Sequence, residues 1–316
     1  MMSWLAAVPA WPAMALLALL LSRLLVLPGA RAPFSAFAVI LQRLAKKVHP
    51  DIKRSNFQQQ LSGTLALLLV VLVPLAIVYG VYLVSELPLV LDAIMLYFCC
   101  LQQGATVAVS LQRHQLTLAK EQAATLLLRD RANLSAMGLS KACIESLLQQ
   151  QAANQVASLC WFLAGGGLLV LAYTLLQTAA RQWNSKLPHY RYFGRTAAYC
   201  YQLALAPGLI ISALLLAIQT GIIGAWRYFR LAGPGYLHRP ARLLLAAGAS
   251  GLGVKLGGPA YYAANKILRQ RLGAGLEPSD RDILRAIMLI NAQQTALIIL
   301  FSSMLALYIA SILLLT

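Results

Sequence analysis

The sequence predicts an all-α protein, a polytopic integral membrane helical bundle with basic cytoplasmic loops. Of its 316 residues, 60% are hydrophobic and 11% are charged, whereas charged residues make up about a quarter of a soluble domain. Lysine and arginine number 26 against nine acidic residues, and the cations lie almost entirely between long apolar runs. This placement fits loops beside a negatively charged leaflet or anionic substrates. It excludes a soluble nucleic-acid binder with a basic groove, so we predict no nucleic-acid partner.

Several apolar runs are long enough to cross a hydrocarbon core of about 30 Å, which takes around 20 helical residues. In chain order they are approximately Trp11 to Leu27, Leu61 to Val84, Leu87 to Ser110, Ala157 to Thr178, Ala197 to Ile223 and Thr295 to Leu315. The first has no basic segment before it and no convincing cleavage site, so we predict a membrane anchor rather than a signal peptide. We expect five to seven apolar helices in a single domain over residues 1–316.

The charges of the loops predict the membrane topology. Arg31 to Gln60 carries six basic residues against the single acid Asp51, which places this loop in the cytoplasm and the N-terminus outside. The next turn, Ser85-Glu86, has no basic residue, as an external turn should. Arg181 to Arg195 departs from the rule, because counting spans places it outside although it holds four basic residues and no acid. Either the preceding run does not fully cross, or this loop folds back into a protein-lined cavity, which we prefer.

The longest stretch without a clean span, Gly224 to Ala292, holds ten basic residues and is predicted to be cytoplasmic. Within it Ala246 to Gly258 is rich in Gly and Ala, which permits close helix packing or close approach of the backbone to a ligand. The end of this segment lacks the Gly-Lys-Ser/Thr of a phosphate loop, and its setting indicates helices throughout, so helix packing is favoured. Ser279, with Asp282 three residues on, predicts a capping box at the start of a further helix.

Few side chains can be assigned to chemistry from spacing alone. The chain has no Walker P-loop, GxSxG elbow, HExxH helix or GxGxxG after a strand. The five cysteines form no CxxC pair and the four histidines are far apart in sequence, so we predict no metal ligands. Three carboxylates stand out: Asp92 inside a predicted span, Asp130 between two arginines, and Glu145 on a polar helix face. A local ion pair explains Asp130, and a solvated helix end explains Glu145, equally well.

A series of short segments occurs in an order that carries a family resemblance. The segments are Arg129-Asp130, Ile144-Glu145-Ser146-Leu147, Trp161, Gly165-Gly166-Gly167, Tyr173, Arg191-Tyr192-Phe193-Gly194, Ala197-Ala198, Pro207, Leu252 to Pro259 with Tyr261-Tyr262, Leu272-Gly273 and Asp282 to Ala286. In this order they resemble the adenosylcobinamide-phosphate synthase family of cobalamin biosynthesis, often called the CobD/CbiB family. The resemblance is strongest over residues 129–286, which is half of the chain.

This resemblance implies a multi-pass enzyme of the bacterial cytoplasmic (inner) membrane, surrounded by membrane lipid. Its reaction would join a carboxylate of adenosylcobyric acid, a corrinoid, to the amine of aminopropanol or its phosphate, with ATP and Mg²⁺ as cofactors. Other corrinoid-pathway proteins would be its partners. The resemblance also implies Asp130 and Glu145 as catalytic residues, in one polar cavity with substrate-binding Arg129, Gln149, Gln150, Arg191, Gly194, Lys255 and Gly257.

Several acidic residues typical of the family are replaced in this chain. Gln149 and Gln150 stand where members usually carry a Glu-Asn pair, and Ala153 stands where they carry Asp. Further Asp residues are missing near Ala180 and at Tyr201-Gln202. Because carboxylates are the usual protein ligands of Mg²⁺, two classes of function stay open. One is the amide-forming ligase; the other is a non-catalytic membrane relative, either a corrinoid-pathway partner or a regulatory protein similar to the AmpE proteins of β-lactamase induction.

Overall fold

A computed structural model describes residues 11–24, 32–49, 55–100, 115–123, 127, 134–231, 238–262 and 265–315. Its α-helices are α1 (Trp11–Leu24), α2 (Ala32–Val48), α3 (Asn56–Val84), α4 (Pro88–Cys100), α5 (Leu116–Gln122), α6 (Ala136–Gln151), α7 (Ala157–Gln182), α8 (Arg195–Thr220), α9 (Ile222–Leu231), α10 (Arg239–Leu252) and α11 (Asp280–Leu315). A π-helical turn, Ala152–Val156, joins α6 to α7, and a 3₁₀ turn covers Pro188–Tyr190. The strands are β1 (Leu256–Gly257), β2 (Ala260–Tyr262), β3 (Asn265–Ile267) and β4 (Arg271–Leu272).

Four helical segments among the described residues are long and apolar enough to cross a membrane: Asn56–Val84, Ala136–Gln182, Arg195–Thr220 and Asp280–Ser311. Helices α1 and α4 are apolar too, and the parts of them that the structure describes are 14 and 13 residues long, shorter than the four candidate spans. The described residues thus contain six apolar helical segments, four long and two shorter, and this number agrees with the prediction of five to seven apolar helices. The predicted fold class is confirmed: the protein is an all-α helical membrane protein.

Helix α7 is interrupted where the sequence has three successive glycines. Gly165 adopts φ −172° and ψ 30°, and Gly166 adopts φ 68° and ψ −163°, a combination that side-chain-bearing residues rarely take. The amide of Gly167, which starts the second part of the helix, donates to the Asp92 carboxylate at 2.7 Å. The Tyr82 hydroxyl donates to the same oxygen at 2.6 Å. Asp92 stands out in the sequence because it lies in a predicted span. In the structure it is buried, and its carboxylate caps the amide of Gly167 at the break in α7.

The described elements form two compact units, whose boundaries fall inside the long helices. The first unit holds α1 to α4, α7 from Ser158, α8 as far as Ala204 and α11 from Gln294. Its core includes Leu41, Trp183 and Phe193, all fully buried. The Trp183 indole donates to the Leu41 carbonyl at 3.2 Å, and its ring meets that of Phe193 edge to face. This aromatic core fixes the segment between α7 and α8 against α2.

The second unit holds α5, α6, the π-helical turn, the rest of α8, α9, α10, the four strands and α11 as far as Gln293. Its helices pack closely at glycines: a Cβ at Gly248 would overlap the Leu148 side chain, and one at Gly251 would overlap Thr220. The helix packing predicted from the Gly- and Ala-rich segment is therefore confirmed for these two glycines. Gln293 adds a polar contact, donating to the backbone and side-chain oxygens of Ser212 at 3.0 and 2.8 Å.

The segment after α10 is not helical, which corrects the expectation of an all-helical setting for residues 251–258. Helix α10 ends at Leu252, and its capping residue Gly253 adopts the left-handed φ of 67°, which stops the helix. The chain then pairs β1 with β4 and β2 with β3, both antiparallel. Gly257 and Gly258 also have positive φ, which is not helical. The carboxylate half of the predicted capping box is confirmed, because the Asp282 carboxylate accepts from the amide of Ser279 at 2.9 Å, and the Ser279 hydroxyl donates to the same oxygen at 2.9 Å.

Candidate functional site

Glu145 is a buried carboxylate on α6 that contacts the strands after α10. The residue is 4% exposed. Its Oε1 accepts a hydrogen bond of 2.7 Å from the backbone amide of Gly257, which lies 112 positions further along the chain. Its Oε2 lies 3.0 Å from Nη2 of Arg269, whose side chain is also buried. A buried carboxylate is stable only when its charge is compensated, and both partners provide that compensation.

The backbone at Gly257 and Gly258 forms a tight turn that only glycine suits. The two residues have φ of 76° and 90°. A Cβ at Gly257 would overlap the carbonyl oxygen of Gln270, on the neighbouring strand segment. The amide of Gly258 donates to that same carbonyl at 3.0 Å. Glycine therefore allows the Gly257 amide to approach Glu145 without steric conflict.

Cations surround this turn. Nε of Arg269 donates to the Gly258 carbonyl at 3.0 Å. A Cβ placed at Gly258 would lie 3.9 Å from Nζ of Lys141 and 3.8 Å from Cγ of Arg271. We call Lys141, Glu145, Gly257, Gly258, Arg269 and Arg271 the turn cluster. Lys141 also pairs with Glu277 at 3.2 Å, so three cations meet two carboxylates and the local charge is positive.

Arg269 is a buried cation with two partners among the described residues. Its Nε donates to the Gly258 carbonyl, and its Nη2 pairs with Oε2 of Glu145 at 3.0 Å. A guanidinium has five N–H donors, so it can bind a further acceptor beside these two. The turn cluster therefore has the chemistry to accept an anionic oxygen, such as a carboxylate or a phosphate.

The predicted site residues fall into four groups, and the fourth, Arg191 and Gly194, lies in the first unit. Glu145 and Gly257 are brought into contact, and Lys255 lies in the same loop with its amide donating to the Leu276 carbonyl at 2.8 Å. Gln149 and Gln150 follow Glu145 on α6 and are half-buried. Arg129 and Asp130 lie outside the described residues, so their predicted roles stay predictions.

Arg191 and Gly194 belong to the first unit, whereas Glu145 and Gly257 belong to the second. Arg191 is exposed, and its guanidinium lies 5.6 Å from the centre of the Tyr192 ring. Gly194 is buried, and a Cβ there would overlap the Trp183 carbonyl. Close packing is thus a sufficient reason for glycine at this position, and the prediction of one common cavity stays a prediction.

Sequence reasoning missed the three cations of the turn cluster, Lys141, Arg269 and Arg271. The two arginines are among the ten basic residues between Gly224 and Ala292, where no spacing distinguishes them from the others. Lys141 precedes Glu145 by one helical turn, which places both on one face of α6. Only the antiparallel pairing of β1 with β4 brings the arginines to the turn, and strands this short give no recognisable sequence pattern.

Comparisons with known proteins point to one family. A sequence model of the CobD/Cbib protein family matches residues 15–290. The chain is 30% identical over 286 residues to the cobalamin biosynthesis protein CobD of Chromobacterium violaceum, covering 87% of this chain and 90% of that protein. It is 31% identical over 287 residues to the same-named protein of Stutzerimonas stutzeri, covering 87% and 91%. No solved structure matches the chain.

Proposed function

This chain belongs to the CobD/CbiB family, and we propose that it acts in cobalamin biosynthesis by joining a corrinoid carboxylate to an amino alcohol or its phosphate. The observation that carries the proposal is the turn cluster, where Lys141, Arg269 and Arg271 lie around the glycine turn and outnumber the carboxylates there. The corrinoid carboxylate is anionic, as is an amino-alcohol phosphate, and preorganised cations in a partly buried site stabilise the charge that develops during acyl transfer.

The charged side chains of the turn cluster have definite parts in this proposal. The guanidinium of Arg269 binds a carboxylate or phosphate oxygen, while Lys141 and Arg271 neutralise further charge. Glu145 holds both the guanidinium of Arg269 and the amide of Gly257 in place, because it contacts both at hydrogen-bonding distance. This makes Glu145 a positioning residue for the binding site, and Asp130 stays a predicted catalytic residue.

The cofactors implied by the family resemblance fit the described site unequally. The three cations suit the phosphates of ATP, which would supply the phosphoryl group that activates the corrinoid carboxylate and leaves with its oxygen as phosphate when the amine attacks. The described site does not suit Mg²⁺, because Glu145 is already engaged by Gly257 and Arg269 and no second carboxylate adjoins it among the contacts described. No step proposed here depends on a metal.

We also propose that the protein is a multi-pass protein of the bacterial inner membrane with its basic loops in the cytoplasm. This orientation follows from the six basic residues of Arg31 to Gln60 and the ten of Gly224 to Ala292. The second of these segments contains the two glycines and two arginines of the turn cluster, which would therefore have access to cytoplasmic ATP. Corrinoid and amino-alcohol phosphate would be its substrates, and other proteins of the corrinoid pathway its partners.

Complementation tests the proposed function. A bacterial strain without its own synthase, supplied with cobyric acid, should regain cobalamin-dependent growth when it expresses this chain. Changing Arg269 to Gln should abolish that growth, whereas Glu86→Gln, in an exposed turn of the first unit, should not. Absence of rescue by protein that is inserted in the membrane would instead support the non-catalytic relative.

A further inference from the structure

Helix α9 presents a surface on which bulky apolar and basic side chains are mixed. It begins immediately after the candidate span α8, which ends at Thr220. Ile222, Ile223, Trp226 and Leu231 are 62%, 85%, 50% and 73% exposed, respectively. Arg227 and Arg230 are exposed on the same short helix. An exposed cluster of large apolar residues at the end of a membrane span needs a partner surface.

The opposite side of α9 is firmly packed, so the exposed surface does not come from a loosely attached helix. Ala225 is 2% exposed. A Cβ at Gly224 would overlap the Ser250 hydroxyl on α10, which shows how closely the two helices approach. On the same side, the guanidinium of Arg242 lies 4.7 Å from the centre of the Phe229 ring. The orientation of α9 is therefore fixed by α10, and its outward side chains are held outward.

The exposed apolar surface of α9 continues that of the preceding span. Leu214 and Ile218, one turn apart near the end of α8, are 54% and 69% exposed, as lipid-facing residues are. Gly221, with φ of 113°, then turns the chain before Ile222. Apolar surface that would contact acyl chains along α8 thus extends directly onto α9.

The charge of α9 indicates what kind of surface it meets. Arg227 and Arg230 have no acidic counterpart nearby in sequence, because the whole stretch from Ser146 to Leu276 contains no Asp or Glu. The guanidinium of Arg230 lies 5.2 Å from the centre of the Trp226 ring. Tryptophan and arginine are the side chains that favour the headgroup level, where one end is apolar and the other is polar.

We propose that α9 lies in the interface of an anionic phospholipid leaflet. Trp226 and the exposed aliphatic residues enter the boundary of the acyl chains, and Arg227 and Arg230 bind headgroup phosphates. The helix has the features of an interfacial helix: basic residues, a tryptophan, and a length too short to span. This surface is separate from the turn cluster and does not depend on the reaction catalysed.

The test uses the full chain in nanodiscs of phosphatidylcholine with phosphatidylglycerol, where either lipid carries bromine on its acyl chains to quench nearby tryptophan. Subtracting the spectrum of Trp226→Phe isolates the fluorescence of Trp226. We expect bromine on the phosphatidylglycerol to quench this signal several-fold more than bromine on the phosphatidylcholine, because each arginine near the surface contributes about 1 kcal/mol of attraction to anionic lipid. Changing both Arg227 and Arg230 to Gln should abolish the preference, while changing both to Lys should retain it.

Arg281→Gln is the matched control, since it removes one exposed positive charge elsewhere in the second unit and should leave the lipid preference unchanged. Two results would overturn the proposal. Equal quenching by both lipids in the unchanged protein would exclude selectivity for anionic headgroups. Absence of quenching by either lipid would place Trp226 in water, against another protein or against a second copy of the chain.

Discussion

Oδ1 of Asp92 accepts a hydrogen bond of 2.7 Å from the backbone amide of Gly167, 75 positions further along the chain. The first amides of a helical segment have no acceptor within the helix, and Gly167 follows directly on the break at Gly165 and Gly166. The Tyr82 hydroxyl donates to the same oxygen. A carboxylate in an apolar segment thus has a structural task, which is to satisfy the backbone where a long helix is interrupted.

Replacing Asp92 should reveal this capping role. Asp92→Ala leaves the Gly167 amide without its acceptor and should destabilise the protein by about 1–3 kcal/mol, whereas Asp92→Asn keeps an acceptor oxygen and should cost less. Thermal unfolding followed with a thiol-reactive dye would measure the difference, because Cys99 and Cys100 are buried until the protein unfolds. Unchanged stability in Asp92→Ala would contradict the capping role.

Substitution of Gly166 should also destabilise the protein, because this residue forms part of the same break in α7. Its φ of 68° and ψ of −163° are unfavourable for any residue with a Cβ, so Gly166→Ala should cost about 1–3 kcal/mol. Gly80→Ala is the matched control, because Gly80 lies within α3 and a Cβ added there would have nothing within 4 Å. The same dye assay should show Gly80→Ala at or above the original unfolding temperature. Equal losses in both variants would contradict the special backbone at Gly166.

Gly257→Ala should impair growth in the complementation strain more than Gly253→Ala. Both glycines have positive φ, but only at Gly257 would a Cβ overlap the Gln270 carbonyl, while space is open at Gly253. The overlap should displace the amide that Glu145 accepts and so disturb the turn cluster. Growth of the Gly257→Ala strain equal to that of the Gly253→Ala strain would show that this turn does not support function.

Glu145 and Arg269 should be energetically coupled. Removing one partner leaves the other charge buried without compensation, so Glu145→Gln and Arg269→Gln should each cost about 3–5 kcal/mol. The double variant removes both charges and should be less destabilised than the sum of the two single variants. Unfolding temperatures of the three variants, measured in the same detergent, form the cycle. Additive losses would mean that the two side chains do not interact.

Much of the fold could be predicted from the sequence because long apolar runs and cap residues act locally. The runs starting at Leu61, Ala197 and Thr295 correspond to α3, α8 and the second part of α11, and Ser279 with Asp282 predicts the start of that last helix. Each signal depends on hydrophobicity or hydrogen bonding within a few residues. Such local patterns can be recognised without knowing which distant parts of the chain come into contact.

The candidate site could be predicted only in part, because its contacts join distant segments. The family resemblance predicts both Glu145 and Gly257 as site residues. Their direct hydrogen bond could not be predicted, because the two residues lie 112 positions apart and no sequence pattern links them. Arg269 reaches Glu145 only because two-residue strands bring the chain back beside Gly257, and such strands have no detectable periodicity. The break in α7 likewise depends on a distant carboxylate, Asp92, that compensates the interrupted backbone.

Product formation by purified protein tests the central claim most directly. The chain, reconstituted into liposomes with adenosylcobyric acid, aminopropanol phosphate and ATP, is expected to yield the corresponding amide, detected by its mass. We expect the product to require ATP and to fall to background with Arg269→Gln, while Glu86→Gln keeps the original yield. A folded, reconstituted protein that forms no amide, or one whose yield is unaffected by Arg269→Gln, would contradict this account.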